Sequence, residues 1–352
     1  MKTYRNLYSQ LCSFENLYLS YRAARLGKRK HESVAAFEYD QEEELLRLRD
    51  ELQAETWQPG AYHSFYIHDP KRRLISAAPF RDRVAHHALI NVIEPIWESR
   101  FIDDSYANRI GKGTHRALDR AQAFARRWPY VLQCDIQQFF PAVDHGLLRN
   151  ELARLIADRA VLKLADRVIA SGEGVLAEAY EMRWFPGDVL LSALRPRGLP
   201  IGNLTSQFWA NVYLNGFDHF IKRELKCAGY VRYVDDFLLF GDDKAQLRQW
   251  RVAIIEQLAG LRLTLHENRA QVYPVMTGIP FLGFRVYPTH RRLKRRNGVN
   301  FQRRFKGLIG RLVDRKINVA QIQASVRGWV NHASHGDTFG LRQAILGRWA
   351  LS

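Results

Sequence analysis

Asp235 and Asp236 stand side by side within Tyr230–Gly241, which reads YVRYVDDFLLFG, with apolar runs on both sides. Val231, Tyr233 and Val234 precede the pair and Phe237 to Phe240 follow it, residue types that favour short buried strands. The acids then occupy the tip of a tight hairpin. Like charges side by side repel, and burying them without a partner is costly. A hard divalent cation with oxygen ligands, Mg²⁺ above all, makes such a pair tolerable. Plain turn chemistry is an equal reading, since Asp favours turns. A third acid bears on the choice. In Tyr130–Phe140, YVLQCDIQQFF, an apolar strand ends in Asp135. An acid at the end of a buried strand usually faces a site, because nothing else justifies its desolvation. Phe140, just beyond, would sit beside whatever binds there, whereas Asp144 is placed to cap a helix starting at His145.

Three further stretches carry charge or polarity suited to a phosphate or a nucleic acid. Residues 59–84 alternate apolar and polar positions, which predicts a hairpin of Tyr62–Ile67 and Leu74–Ala78 joined through Asp69-Pro70. Lys71, Arg72 and Arg73 lie at or beside its turn, with Arg81 and Arg83 after it, and such cations can close over a triphosphate. Arg109 and Lys112 sit in a Gly-containing loop before a helix, compatible with phosphate or with simple capping. At 197–207, RGLPIGNLTSQ, Pro200 and Gly202 make a tight entry to a long helix whose first turns carry Thr205, Ser206 and Gln207. That face suits a base pair or template backbone, or ordinary capping.

The elements that must position these groups can be read from periodicity. The 352 residues are 47% apolar and 12% aromatic, enough for a real core in two or three subdomains. Residues 1–58 read as mostly polar helices, one capped by Ser13 and one opened by an Asp40–Glu43 capping box, with a basic loop Gly27–His31 between them. A helix is expected from about Val84 to Glu98 with His86 and His87 as structural residues, and 158–196 shows no usable motif. Gly278–Pro288 reads as an apolar strand pair. Lys and Arg total 53 against 36 acids, a net charge of +17 that points to a polyanionic partner. From Arg285 to Lys316 there are twelve Lys or Arg and one acid, Asp314. Phe301, Phe305, Leu308 and Leu312 fall at helical spacing there, opposite Arg295, Arg296, Arg303, Arg304, Lys306 and Arg311, a face that fits a duplex backbone. Cys12, Cys134 and Cys227 have no disulfide or zinc spacing, and no signal-like start or membrane-length apolar run is present, so a cytoplasmic protein is expected.

DIQQFF (135–140), GLPIGNLTSQ (198–207), YVDDF (233–237) and FLGF (281–284) occur in the order of a reverse transcriptase palm, and the chain resembles that family from about residue 64 to 288. The resemblance implies an α+β right-hand polymerase: an N-terminal helical extension (1–58), fingers (59–130), palm (131–288, with an insertion around 158–196) and a basic helical thumb (289–352). It implies RNA-directed DNA synthesis with two Mg²⁺ ions, replaceable by Mn²⁺, held by Asp135, Asp235, Asp236 and the Ile136 carbonyl. It casts Phe140 as the screen against the 2′-OH, and Lys71 or Arg73 with Arg83 as triphosphate holders. Arg109 matches a basic position, and Arg269 stands where many relatives carry Lys, near the leaving pyrophosphate. Arg scarcely gives up its proton, so general acid catalysis there is in doubt. Ile201-Gly202-Asn203-Leu204-Thr205-Ser206-Gln207 replaces the common QGxxxSP pattern and resembles enzymes of diversity-generating retroelements. Those bacterial or phage enzymes copy a template-repeat RNA with adenine-directed errors for mutagenic retrohoming into a variable gene. Ile201, Gly202, Ser206 and Gln207 become fidelity or template residues. The expected partners are template RNA and cDNA, dNTPs, and a small basic accessory variability protein that forms a ring, a pentamer. Alternatives are a retron-like, intron-like or phage-defence reverse transcriptase, or a non-catalytic RNA-binding protein on a relic palm.

Overall fold

The computed structural model describes residues 2–68 and 72–350, the side chains of 348–350 excepted. Four helices come first: α1 (Tyr8–Leu11), α2 (Phe14–Ala24), α3 (Glu32–Tyr39) and α4 (Gln41–Gln53). Ser13 caps α2 by accepting from the Asn16 N–H, as its position predicts. Asp40 opens α4 but makes no side-chain cap, and the extra helix α3 precedes it. The mostly polar reading of this region undervalues its inner face. Leu11, Leu17, Tyr21, Leu45, Leu48, Leu52 and Trp57 are buried in the same core as the central sheet.

Strands β1 (His63–Ile67) and β2 (Arg73–Ala77) form the expected hairpin, antiparallel from His63↔Ala77 to Ile67↔Arg73. The turn expected through Asp69-Pro70, with Lys71, lies outside the described residues. Helix α5 (Phe80–Glu98) begins a turn earlier than its apolar pattern predicts and is buried along most of its length. α6 (Thr114–Arg127) leads into β3 (Tyr130–Gln137), followed by α7 (Phe139–Ala142), α8 (His145–Ala153) and α9 (Arg159–Ala170). Asp144 caps α8 through the Leu147 N–H at 2.9 Å. α9 falls in the stretch that shows no usable motif. Asp158 caps it, and Val161, Leu164, Ala165, Val168 and Ile169 form its buried stripe.

α10 (Leu204–Arg223) and the hairpin β4 (Gly229–Tyr233) and β5 (Asp236–Gly241) complete the centre, with α11 (Lys244–Gly260), β6 (Thr264–Leu265) and β7 (Gln271–Pro274) after them. The sheet runs β4-β5-β3-β6 with β7 also on β3, and every pairing is antiparallel. A second sheet holds the expected pair, β8 (Ile279–Phe281) and β9 (Phe284–Val286), plus a third strand, β10 (Arg291–Leu293). Helices α12 (Arg295–Val313), α13 (Val319–Ala333) and α14 (Phe339–Ala350) end the chain. Phe301 stacks on Trp329 at 4.0 Å between ring centroids, closing a small core of their own. His115 of α6 stacks on His335 at 3.4 Å and ties this bundle to the rest. Among the described residues no helix is long and apolar enough to cross a membrane.

Candidate active site

The hairpin β4–β5 turns through Val234 and Asp235, so Tyr233 pairs with Asp236 across its base. Asp236 also lies directly opposite Asp135 of β3. Directly opposed residues on antiparallel strands point to one face with Cα atoms about 5 Å apart. Asp235 is fastened to the same place, because its carbonyl accepts the Ile136 N–H at 3.1 Å. Three carboxylates separated by a hundred residues of chain thus meet beside the ends of two central strands. Burial first, and then the charges of Asp135 and Asp235, push the Asp236 carboxyl up to about 7.

A cleft of about 870 Å³ opens over them, lined also by Arg73, Ile136, Gln138, Arg269, Arg285 and Lys294. Arg269 donates from Nη1 to Asp135 Oδ2 at 2.9 Å. The floor under the turn is a pair that sequence reasoning missed. Arg232 and Asp218, both fully buried, meet at 2.6 Å, and Tyr230 donates its hydroxyl to the same carboxylate. Arg232 Nη1 also donates to the carbonyl of Val234, a β-branched residue held at φ 57°. A charged residue in the middle of a buried strand was the available signal.

The remaining predicted residues divide. Arg73 lines the cleft, while Lys71 lies outside the described residues. Arg83 donates to the Ala78 carbonyl at 2.8 Å and is not among the cleft-lining residues. Arg109, expected at a nucleotide, is turned inward: its side chain is 4% exposed, held by Glu98 at 2.7 Å and by the Ile102 and Ser105 carbonyls. It pins its own loop, because a buried guanidinium must satisfy its donors locally. Phe140 is half-buried edge-on to Phe139 and does not line the cleft. Ser206, expected to face template, is buried and donates to the Pro200 carbonyl at 2.7 Å, whereas Gln207 is exposed. The Ile201 carbonyl accepts the Ser76 N–H of β2 at 2.8 Å. Gly202 has φ +114° with Ile75 Cγ2 2.8 Å from where a Cβ would be, so only glycine fits. Asn203 joins the same contact, bonding the Ala78 N–H and the Ser76 carbonyl instead of capping α10. Arg295, Arg296, Arg303, Arg304, Lys306 and Arg311 are all exposed on α12.

The oxygen donor set of Asp135, Asp235, Asp236 and the Ile136 carbonyl suits Mg²⁺ or Mn²⁺. Among the described residues no three acidic, His or Cys side chains form a ready cage, and Asp135 is engaged by Arg269. Placement and donor chemistry fit: burial first, and then neighbouring carboxylate charge, raises the Asp236 carboxyl, and a cation would neutralise that charge.

The profile described as reverse transcriptase (RNA-dependent DNA polymerase) matches residues 68–286. The chain belongs to the reverse transcriptase family. Protein YkfC of Escherichia coli (strain K12) is 28% identical over 283 residues, 69% of this reverse transcriptase and 71% of YkfC. The group II intron-encoded protein LtrA of Lactococcus lactis subsp. cremoris is 25% identical over 185 residues, 51% of this chain but 28% of LtrA. Telomerase from Candida albicans aligns at TM-score 0.42 and 11% identity, over 72% of this chain and 51% of the other.

Proposed function

We propose that this reverse transcriptase extends a primer on an RNA template by two-metal nucleotidyl transfer, with residues 59–130 as fingers, 131–288 as palm and 289–352 as thumb. The observation that carries it is the register pair Asp135↔Asp236 with Asp235 at the adjoining turn. Asp135, Asp235, Asp236 and the Ile136 carbonyl would hold the ions. When bound, they lower the pKa of the primer 3′-OH and neutralise the departing pyrophosphate. Arg73, Arg285 and Lys294 line the same cleft and supply positive charge for a triphosphate. Arg269 adds charge but no proton. The exposed cations of α12 bind the product duplex through its phosphates. Asp235→Asn or Asp236→Asn should leave melting and RNA binding intact and lose primer extension. Substantial extension by either variant would remove the assignment.

Within the family, the segment Ile201–Gln207 supports a diversity-generating retroelement enzyme that errs at template adenines and works with a ring-forming accessory protein. The Ile201 carbonyl and Asn203 join that segment to β2, the strand whose Arg73 lines the cleft. The likeness to an intron-encoded protein supports the competing intron-type reading. Sequencing cDNA made by the purified enzyme on its own RNA decides: errors concentrated at adenines support the first, an even spectrum the second.

A further inference from the structure

The helical bundle α12–α14 has a core of its own, built on Phe301, Phe305, Trp329 and Ile345 and distinct from the core beneath the second sheet. Leu293 packs against both. Beyond it, the bundle meets the rest of the chain through polar contacts around β9 and β10. The Asp337 N–H donates to the Arg291 carbonyl at 2.7 Å, and Asn297 Nδ2 donates to the Gly283 carbonyl at 3.2 Å. Histidines complete this joint, and the catalytic cleft uses none of them.

His332 lies in the last turn of α13 and His335 just past its end. From α6, His115 stacks on His335 with ring centroids 3.4 Å apart and planes 11° from parallel. Its centroid is 5.6 Å from that of His332, which packs on Phe284 of β9 at 4.9 Å. Among the described residues these rings form no group able to hold a metal ion. His115 and His332 are half-buried and His335 is exposed. Neutral imidazoles stack favourably, whereas two imidazolium rings at this separation repel.

The acid beside the rings is already committed. Asp119, one turn along α6 from His115, accepts from Arg291 Nη2 at 2.6 Å. Arg291 is itself a buried cation next to the cluster, and Arg116 and Asp337, its neighbours in sequence, are exposed. His115 Nδ1 is buried without a partner among the described residues, so a proton placed there finds no acceptor. Burial first, and then His335 and His332, lower the His115 ring, and burial followed by His335 lowers His332. Groups lowered in this way favour the closed contact above the ordinary imidazole value of about 6.5 and lose it as pH falls.

We propose that His115, His332 and His335 form a pH-sensitive joint, which holds the bundle α12–α14 on α6 while the rings are neutral and releases it when they are protonated. Release moves the exposed cations of α12, so its effect on synthesis rests on the duplex-binding reading above; the joint itself does not.

The test reads the distance between two nitroxide labels in the full chain, free of RNA. Ala123→Cys on α6 and Gln323→Cys on α13 carry them at exposed positions, while the native Cys12, Cys134 and Cys227 are buried. At about pH 8 the labels should give one narrow distance population. By about pH 5 a longer, broader one should replace at least half of it, with a midpoint below about 6.5. His115→Phe with His335→Phe keeps two facing rings without their protons and should hold the narrow population at both values. His335→Phe alone, at an exposed position, should cut the long population at least twofold, and it decides the matter if the double variant does not fold. A wild-type distance that is the same at both pH values would overturn the proposal, and so would an equal change in the folded variants. Loss of the far-UV circular dichroism signal over the same range would overturn it too, because the whole chain would then be unfolding. Primer extension that fails at every pH while the distance still switches would remove the polymerase reading and leave the joint standing.

Discussion

Replacing Arg232 with methionine tests what holds the acidic turn in place. Both Arg232 and Asp218 are fully buried, so the substitution strands a carboxylate that, among the described residues, keeps only the Tyr230 hydroxyl at 2.8 Å. It also removes the donors to Ser105 Oγ at 3.1 Å, Asn211 Oδ1 at 3.3 Å and the Val234 carbonyl at 3.2 Å. Orphaning one member of a buried pair costs about 3–5 kcal/mol. With an unfolding entropy of about 2.1 cal/mol/K per residue over 352 residues, that is about 4–7 °C in Tm. Losing the bond to the Val234 carbonyl loosens a turn already strained at φ 57°, and about 1.4 kcal/mol of lost positioning means about tenfold slower primer extension. Asp218→Asn combined with Arg232→Met removes the stranded charge and should recover part of the Tm but not the rate, because the Val234 carbonyl still lacks its donor. Calorimetric melting and single-turnover extension read the two effects separately. An Arg232→Met enzyme that melts within 1 °C of wild type and extends at the same rate would refute the argument.

Gly202→Ala should cost about 1–3 kcal/mol through its φ of +114°, and adding Ile75→Ala should recover only the part due to the 2.8 Å contact. Denaturant midpoints of the two variants check this. His86 is buried and burial lowers its ring to about 3, against about 6.5 in an unfolded chain. The unfolded state therefore binds the extra proton, and stability present above about pH 6.5 drains away as pH falls toward 3. The loss is about 2 kcal/mol at pH 5, and His86→Leu should flatten the melting profile across that window. Arg269→Ala releases Asp135 Oδ2 from its 2.9 Å contact, so half-maximal extension should need less Mg²⁺ while the maximal rate falls. An unchanged Mg²⁺ requirement would show that Arg269 does not compete with the metal.

The carboxylates were legible because a strand ending in an acid and an acid pair between apolar runs are costly features with few uses. Their convergence followed from hairpin and strand periodicity, which local sequence encodes. The phosphate-facing assignments were less legible, since a cation's role depends on which acids fold beside it. Arg109 and Arg73 look alike in sequence; Glu98 claims the first, and among the described residues no carboxylate claims the second. Ser206 turned inward to the Pro200 carbonyl, which Asn203 also reaches at the entry to α10. α9 was written in the chain, with Asp158 as cap and apolar residues at helical spacing, and was passed over for want of a chemical motif. The Arg232–Asp218 pair could not be matched from sequence, although each residue was conspicuous in an apolar setting.

Buried charge in this fold is met in two ways. Arg232 is balanced by Asp218, Arg109 by Glu98 and Arg262 by Asp188. Beside the ends of β3 and β5 the sign is one-sided: burial first, and then the charges of Asp135 and Asp235, push the Asp236 carboxyl up to about 7, and Lys294 and Arg269 offset that only in part. Divalent cations with oxygen ligands at the same carboxylates would offset the rest.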